Sequence, residues 1–216
     1  MTKKIVQEIP FLLIISLPIV LLFQLWESIP AKIPLHFNLN LEPDRWGSKQ
    51  TLWGIVVFVP ILQYLLLLVA KYVDPKKRIS QMGSRFYTVR FIMGLILAAV
   101  LVLLIIGTAR DLSFFRDHFF VLIGLIFVCL GNYFRNMKPN YFVGFRTPWA
   151  LEDDENWRIT HRQGSAAWFA GGTAMVLINL WALPGLAFLV NYFLLLTLIA
   201  VPFIISYRTY RRLSGT

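Results

Sequence analysis

Six apolar runs, each near the length of a membrane-spanning helix, lie at residues 6–26, 51–73, 86–109, 114–134, 163–182 and 186–207. A helix crossing hydrocarbon needs about 20 mostly apolar residues, and every backbone polar group inside it must bond internally. The pattern therefore predicts an all-α membrane protein of six transmembrane helices. Polar residues collect between the runs, chiefly in a loop at 27–50 and another at 135–162. Pro10, Pro18, Pro60 and Pro202 inside the runs predict kinks backed by neighbouring helices. Leu183-Pro184-Gly185 predicts a tight hairpin between the last two spans. Gly164, Ala167, Gly171 and Ala174 form a small-residue stripe that admits a close helix neighbour.

Composition agrees: hydrophobic residues make up 57% of the 216 and charged residues 15%. The net charge of +10 arises from Lys and Arg that flank the apolar runs. That is how topology signals are placed, and no basic face with interleaved rings appears, so no direct nucleic-acid contact is expected. With the N-terminus inside, sixteen Lys/Arg fall on the cytoplasmic side and five outside. The expected topology has both termini and 135–162 in the cytoplasm, with 27–50 outside. Lys3 and Lys4 before an apolar run resemble a signal peptide, but no A-x-A site follows, so the run is expected to stay as a first span. Residues 1–110 and 111–216 are expected as two three-helix parts packed as one unit. Cys129 is the single cysteine, which excludes an intramolecular disulfide and a Cys/His zinc site.

The outside loop reads I-P-A-K-I-P-L-H-F-N-L-N-L-E-P-D-R-W-G-S-K. Ile33, Leu35 and Phe37 alternate with Pro34 and His36 as along a strand edge, and Pro43-Asp44 and Gly47-Ser48 resemble turns. His36, Phe37, Asn38, Asp44, Arg45 and Lys49 are the candidate contact residues; the rival account is a folded loop whose polar groups satisfy one another. In the cytoplasmic segment, Thr147-Pro148 is a helix-start or turn signal and Asp153 or Asp154 a good N-cap. Glu152 to Glu155 then sit at a helix N-terminus, with Asp154 and Arg158 in the favourable i, i+4 order. Contiguous acids fit capping better than a metal site. Trp157, His161, Gly164 and Trp168 share one helical face. Arg146 lies in the aromatic run Y-F-V-G-F-R-T-P-W and needs an answer for its charge. Asn132, Asn140 or the acid run could supply it, as could stacking on Phe145 or Trp149, or snorkelling to lipid phosphate.

The run G-N-Y-F … K-P-N-Y-F-V-G-F-R-T-P-W-A-L … N-W-R-I-T-H-R resembles the signature of the SdpI family of bacterial membrane immunity proteins. Gly131, Asn132, Asn140, Gly144, Arg146, Thr147, Pro148, Trp149, Leu151, Trp157, His161 and Arg162 fall on its positions. The outside loop is similar to the uncharacterised N-terminal domain that commonly precedes it, through His36, Asn38, Asp44, Arg45, Gly47 and Lys49. The resemblance implies a cell-membrane protein that protects against a secreted, membrane-active peptide toxin. It also implies capture of a cytoplasmic repressor, without catalysis, cofactor or metal. On this reading the outside loop meets the toxin, and Asn132, Asn140, Gly144, Arg146, Thr147, Pro148, Trp149, Trp157, His161 and Arg162 form a cytoplasmic platform that either docks a regulator or holds the helices in one arrangement. Passive small-solute permeation and an orphan sensor are the alternatives. The eleven acids lie in loops or near span ends, which disfavours ion-coupled transport. His161 and Ser165, at i, i+4, leave an intramembrane hydrolase as a weaker reading.

Overall fold

The computed structural model describes residues 2–74, 79, 82–181 and 184–215. The chain runs α1 (Thr2–Leu25), a 3-10 turn (Trp26–Ser28), β1 (Lys32–Phe37), β2 (Pro43–Ser48), α2 (Gln50–Val73), α3 (Ser84–Ala109), α4 (Leu112–Phe134), α5 (Pro148–Glu152), α6 (Asp154–Trp181) and α7 (Pro184–Ser214). Among the described residues five helices, α1, α2, α3, α4 and α7, are long and apolar enough to cross a membrane. The apolar stretch of α6 is interrupted by Gly164, Ser165, Gly171, Gly172, Thr173 and Asn179, and is less hydrophobic for that reason. Phe23, Phe58, Leu66 and Phe193 all lie exposed on these helices. A surface so rich in large apolar side chains is one solvated by lipid, and the chain is an all-α membrane protein. Lys76, Lys77 and Arg78, and Leu183 of the expected turn, lie outside the described residues. α7 opens at Pro184, a residue type suited to the first helical turn.

The helices sort into two compact units, one of Met1–Lys71 with Gly83–Phe119 and the other of Tyr72–Met82 with Phe120–Thr216. In the first, Phe11 of α1 meets Tyr64 of α2, and Trp26 of the 3-10 turn after α1 meets Trp53 at the start of α2. Phe11 also closes on Gly94 of α3, where any side chain would collide with its ring. So α1 and α3 run parallel, with α2 against them. Leu22, Leu52, Val56, Leu101 and Ile105 close one end as a core, into which Ile33 of β1 is sealed.

The other end holds an ion pair. Arg90 forks onto Glu8, its Nη1 donating to Oε1 at 2.7 Å and its Nη2 to Oε2 at 2.6 Å. The guanidinium is buried and faces the rings of Phe11, Tyr64 and Tyr87. Sequence spacing assigns Arg90 to the basic flank of a loop. The structure corrects that: the side chain turns into the helix bundle because a carboxylate one helix away neutralises it.

β1 and β2 form an antiparallel hairpin, with Lys32 opposite Ser48 and His36 opposite Arg45. The turns expected at Pro43-Asp44 and Gly47-Ser48 are strand instead. The reversal is made by Asn38, whose side-chain oxygen accepts from Asn40 N–H (2.9 Å) and Glu42 N–H (3.0 Å), with Leu41 at φ 58°. An Asx side chain that satisfies the backbone two residues on fixes the turn there, and the following segment is free to pair. Gly47 lies under Leu35, with no room for a Cβ.

In the second unit, α4 and α7 run parallel and α6 runs against both. Gly124 and Gly172 bring α4 and α6 into backbone contact, and Gly131 meets Ser165 and Phe169 the same way. Of the predicted stripe, Gly171 takes Leu198 of α7 and Gly164 takes Phe145. Close approach through glycine is how helices gain dispersion contact where lipid supplies no hydrophobic drive. This packing places the 135–153 segment across the end where α4 stops, α6 starts and α7 finishes.

The ion pair gives a direct test. Glu8→Ala strands a buried guanidinium and should cost roughly 3–5 kcal/mol, read as a lower unfolding midpoint in detergent. Glu8→Leu combined with Arg90→Met should recover most of the loss. A single variant as stable as the parent would show that the pair is not buried in the folded protein.

Candidate functional site

The segment between α4 and α5 has no regular secondary structure, so its backbone polar groups need side-chain partners. Asn140, fully buried, supplies four. Its Nδ2 donates to the carbonyls of Lys138 (3.0 Å) and Val143 (2.9 Å), and its Oδ1 accepts from Phe142 N–H (2.9 Å) and Val143 N–H (2.8 Å). One amide thereby uses its whole hydrogen-bonding capacity to fold the loop.

Two residues of α6 hold that loop down. Trp157 Nε1 donates to the carbonyl of Met137 at 2.8 Å, and its indole stacks on His161 with centroids 3.9 Å apart. His161 Nδ1 sits 2.9 Å from the Trp157 carbonyl, while Nε2 accepts from Phe145 N–H at 2.9 Å. A carbonyl only accepts and an amide only donates, so the ring is neutral with its proton on Nδ1. Gly144, at φ 116°, crosses the imidazole so closely that a Cβ would lie 2.4 Å from Nε2. Phe145 then drops into a cage of Phe134, His161 and Trp168, its edge over Gly164.

From Phe145 onward the chain alternates inward and outward: Phe145 and Thr147 are buried, Arg146 and Pro148 exposed. Arg146 Nη1 donates to the carbonyl of Tyr141 at 3.0 Å. The partners expected from sequence, Asn132, Asn140 and the acid run, are not the ones it meets, because Asn140 is already spent on the loop backbone and Asn132 lies exposed on α4. Thr147 caps α5 by accepting from Ala150 N–H, with Pro148 at the first helical position. Asp153 caps α6 by accepting from Asn156 N–H. Arg158 pairs with Glu155 at i, i+3, which holds the Glu155 carboxyl below its usual range. Trp149 rests on Tyr207 and Tyr210 of α7. Arg162 is exposed.

Sequence reasoning passed over the fastening beneath α5. Thr147 Oγ1 meets Ser206 Oγ, Ser206 Oγ donates to Asn156 Oδ1 at 2.8 Å, and Thr160 Oγ1 donates to the same oxygen at 3.0 Å. Asn156 Nδ2 in turn donates to the Ser206 carbonyl at 2.9 Å. Ser206 has one proton and gives it to Asn156, so Thr147 donates to Ser206. All four side chains are buried, and in a low dielectric such a chain holds only when complete. The available signal was Ser206 itself, a polar residue inside the last apolar run.

The hairpin residues divide differently. Asn38 makes the turn, and Phe37 stacks on Phe115 with centroids 4.6 Å apart. Lys49 donates to the Trp26 carbonyl and lies over the Trp26 ring. These three serve the fold. His36 and Asp44, 2.6 Å apart, remain exposed together with Arg45.

For catalysis the arrangement offers little. Both ring nitrogens of His161 are engaged with backbone, and the buried Ser165 hydroxyl has no partner to activate it. Among the described residues no three His, Cys, Asp or Glu side chains converge as metal ligands.

The histidine carries a pH dependence. His161 precedes the apolar stretch of α6, and burial pushes it from 6.5 down to about 4, against the opposing pull of the Trp157 carbonyl. Between those values the imidazole takes up a proton only once the loop has been released from it. Stability is therefore complete above the ordinary value and falls as pH drops, by roughly 3 kcal/mol near pH 4. Protease resistance of the 135–147 loop should fall in the parent between about pH 7.5 and about pH 5, on either side of the ordinary histidine value of about 6.5. In His161→Gln that slope should vanish; a flat parent profile would refute the neutral latch.

Comparison with known proteins bears on this geometry. Residues 136–207 match the SdpI/YfhL protein family, and residues 13–62 match a domain of unknown function, DUF1648. The immunity protein SdpI of Bacillus subtilis (strain 168) is 23% identical over 194 residues, covering 89% of this chain and 90% of its own. No solved structure matches the chain. The first match spans the latched loop, α5, α6 and most of α7, and the second spans about half of α1, the hairpin and about half of α2. Residues 136–207 thus carry the SdpI/YfhL family match, and with its lipid-exposed helices the chain is a multi-pass bacterial cell-membrane protein.

Proposed function

We propose that this protein confers immunity to a secreted, membrane-active peptide toxin and offers a cytoplasmic repressor a docking surface at the membrane. The observation that carries the reading is the 135–147 loop: Asn140, Trp157 and His161 hold it rigid from below while Arg146 stays exposed on top. A charge held out from a latched backbone is preorganised for a partner. Beside it, a pocket of about 220 Å³ lined by Trp149, Glu152, Asp153, Asn156 and Tyr210 joins ring faces to carboxylates, which suits a cationic side chain of that partner. The name of the Bacillus relative supports the immunity half.

Six spans with both termini inside put the hairpin outside, where it meets the toxin through His36, Asp44, Arg45 and the exposed Leu39 and Trp46. The basic-residue bias supports this topology. The parallel course of α1 and α3 fits it too, since parallel spans start on one side.

Toxin-sensitive bacteria expressing the chain should survive a family-type peptide toxin, and Arg146→Ala at matched abundance should lose that protection. Survival equal to that of cells lacking the protein would refute immunity; lost abundance in Arg146→Ala would place Arg146 in folding instead. For topology, single cysteines at Ser48 and Lys138 in a Cys129→Ala background should be labelled from opposite sides. Labelling from one side would overturn it.

A further inference from the structure

The β1–β2 ribbon has two edges, and they are finished differently. Lys49 N–H donates to the Ala31 carbonyl at 3.0 Å, which makes Ala31 and Lys49 a hydrogen-bonded pair. Antiparallel ladders alternate such pairs with pairs that exchange no hydrogen bond. Ile33 and Gly47 therefore bond across the ribbon, whereas Lys32–Ser48 and Pro34–Trp46 turn their backbone groups outward. On β1 the outward edge falls at Pro34, which has no N–H and is buried. On β2 it falls at Trp46 and Ser48, both exposed. No group outside the ribbon, among the described residues, answers their N–H and C=O groups. The register shift lies beside Pro34 as well, so the features that blunt an edge gather on β1; β2 has only Pro43, its first residue.

Backbone and charge narrow the occupant. Lipid offers no row of alternating donors and acceptors, whereas an extended polypeptide presents both at the strand repeat of roughly 3.4 Å per residue. Successive side chains of β2 point to opposite faces, so Arg45 and Trp46 diverge. Asp44 is answered by His36 at 2.6 Å, and Arg45 meets no anion among the described residues. Trp46 leaves half its surface exposed. The segment that fits carries an apolar side chain against Trp46 and, on an adjacent residue, a carboxylate for Arg45.

We propose that the hairpin takes the toxin by strand addition, an extended segment of the peptide pairing with Trp46 and Ser48 as a third strand on β2. This rests on the immunity reading above and gives its outside contact a geometry. Backbone bonds supply the affinity, and the Arg45 and Trp46 side chains supply the choice of peptide.

Two measurements with the toxin of the survival assay test it. In hydrogen exchange of the purified full-length protein, the Trp46 and Ser48 amides should exchange freely alone and slow several-fold when toxin is added. In cells, Trp46→Pro removes one outward N–H and no bond of the ribbon. At matched abundance it should lower the tolerated toxin concentration several-fold, and Trp46→Val, which keeps the N–H, should lower it less. Cells carrying the parent that die as readily as cells without it would refute the immunity reading, and strand addition with it. Parent survival matched by Trp46→Pro, or amides at Trp46 and Ser48 unchanged by toxin, would overturn strand addition alone. So would slow exchange at both amides without toxin, the mark of a second copy on this edge. Should Trp46→Pro fail to accumulate, the exchange measurement decides.

Discussion

An irregular backbone at the membrane border cannot leave its amides and carbonyls unanswered, and the 135–147 loop meets that constraint with side chains. Asn140 answers four backbone groups from inside the loop, and Trp157 and His161 answer Met137 and Phe145 from α6. Everything else at this end of the second unit follows. Gly144 must be glycine because the imidazole lies where a Cβ would go, and Gly164 must be small because Phe145 fills the cage above it. The neutral tautomer of His161 is itself a product of the latch, since both of its partners are backbone groups of fixed polarity.

The two units solve one problem with different chemistry. The second buries neutral groups, Thr147, Ser206, Asn156 and Thr160, each answering another, so that no net charge leaves water. The first buries a charge and its counter-charge, Arg90 and Glu8, with aromatic faces around the guanidinium. Neutral chains favour a single geometry through directionality. An ion pair depends on both partners being present, because losing either leaves an isolated charge in a poor solvent.

Much of this was legible in the sequence, and the remainder was hidden for definite reasons. The helices of the apolar runs and the caps at Thr147 and Asp153 each rest on short-range periodicity or local chemistry, and the structure reproduces them. β1 forms as well, but a register shift between Pro34 and His36 leaves Ile33 and Pro34 buried and Leu35 and His36 exposed, so the expected alternation does not hold. Arg146 stands out in the sequence as a charge needing a partner, but that partner is a carbonyl five residues back, and sequence does not display the acceptors of the backbone. Arg90 looked like one more topology cation because its counter-charge lies on another helix. Pro43 and Gly47 suggested turns, yet Asn38 had already reversed the chain. The hydropathy of α6 also reads ambiguously, since the glycines that bring it against α4 lower its apolar content. Close packing and hydrophobicity compete there for the same positions.

The span between Glu8 and Arg90 has a consequence for how the protein is made. The two residues are separated by 82 positions. At roughly 5–20 residues per second, translation needs on the order of 4–16 s to deliver the second after the first. For that interval the leading helix carries a carboxylate with no counter-ion from its own chain. It must linger at the bilayer border or in the insertion machinery until α3 emerges. α1 is therefore synthesised well before the counter-ion that settles it, and that part of the order of biogenesis is written into a single ion pair.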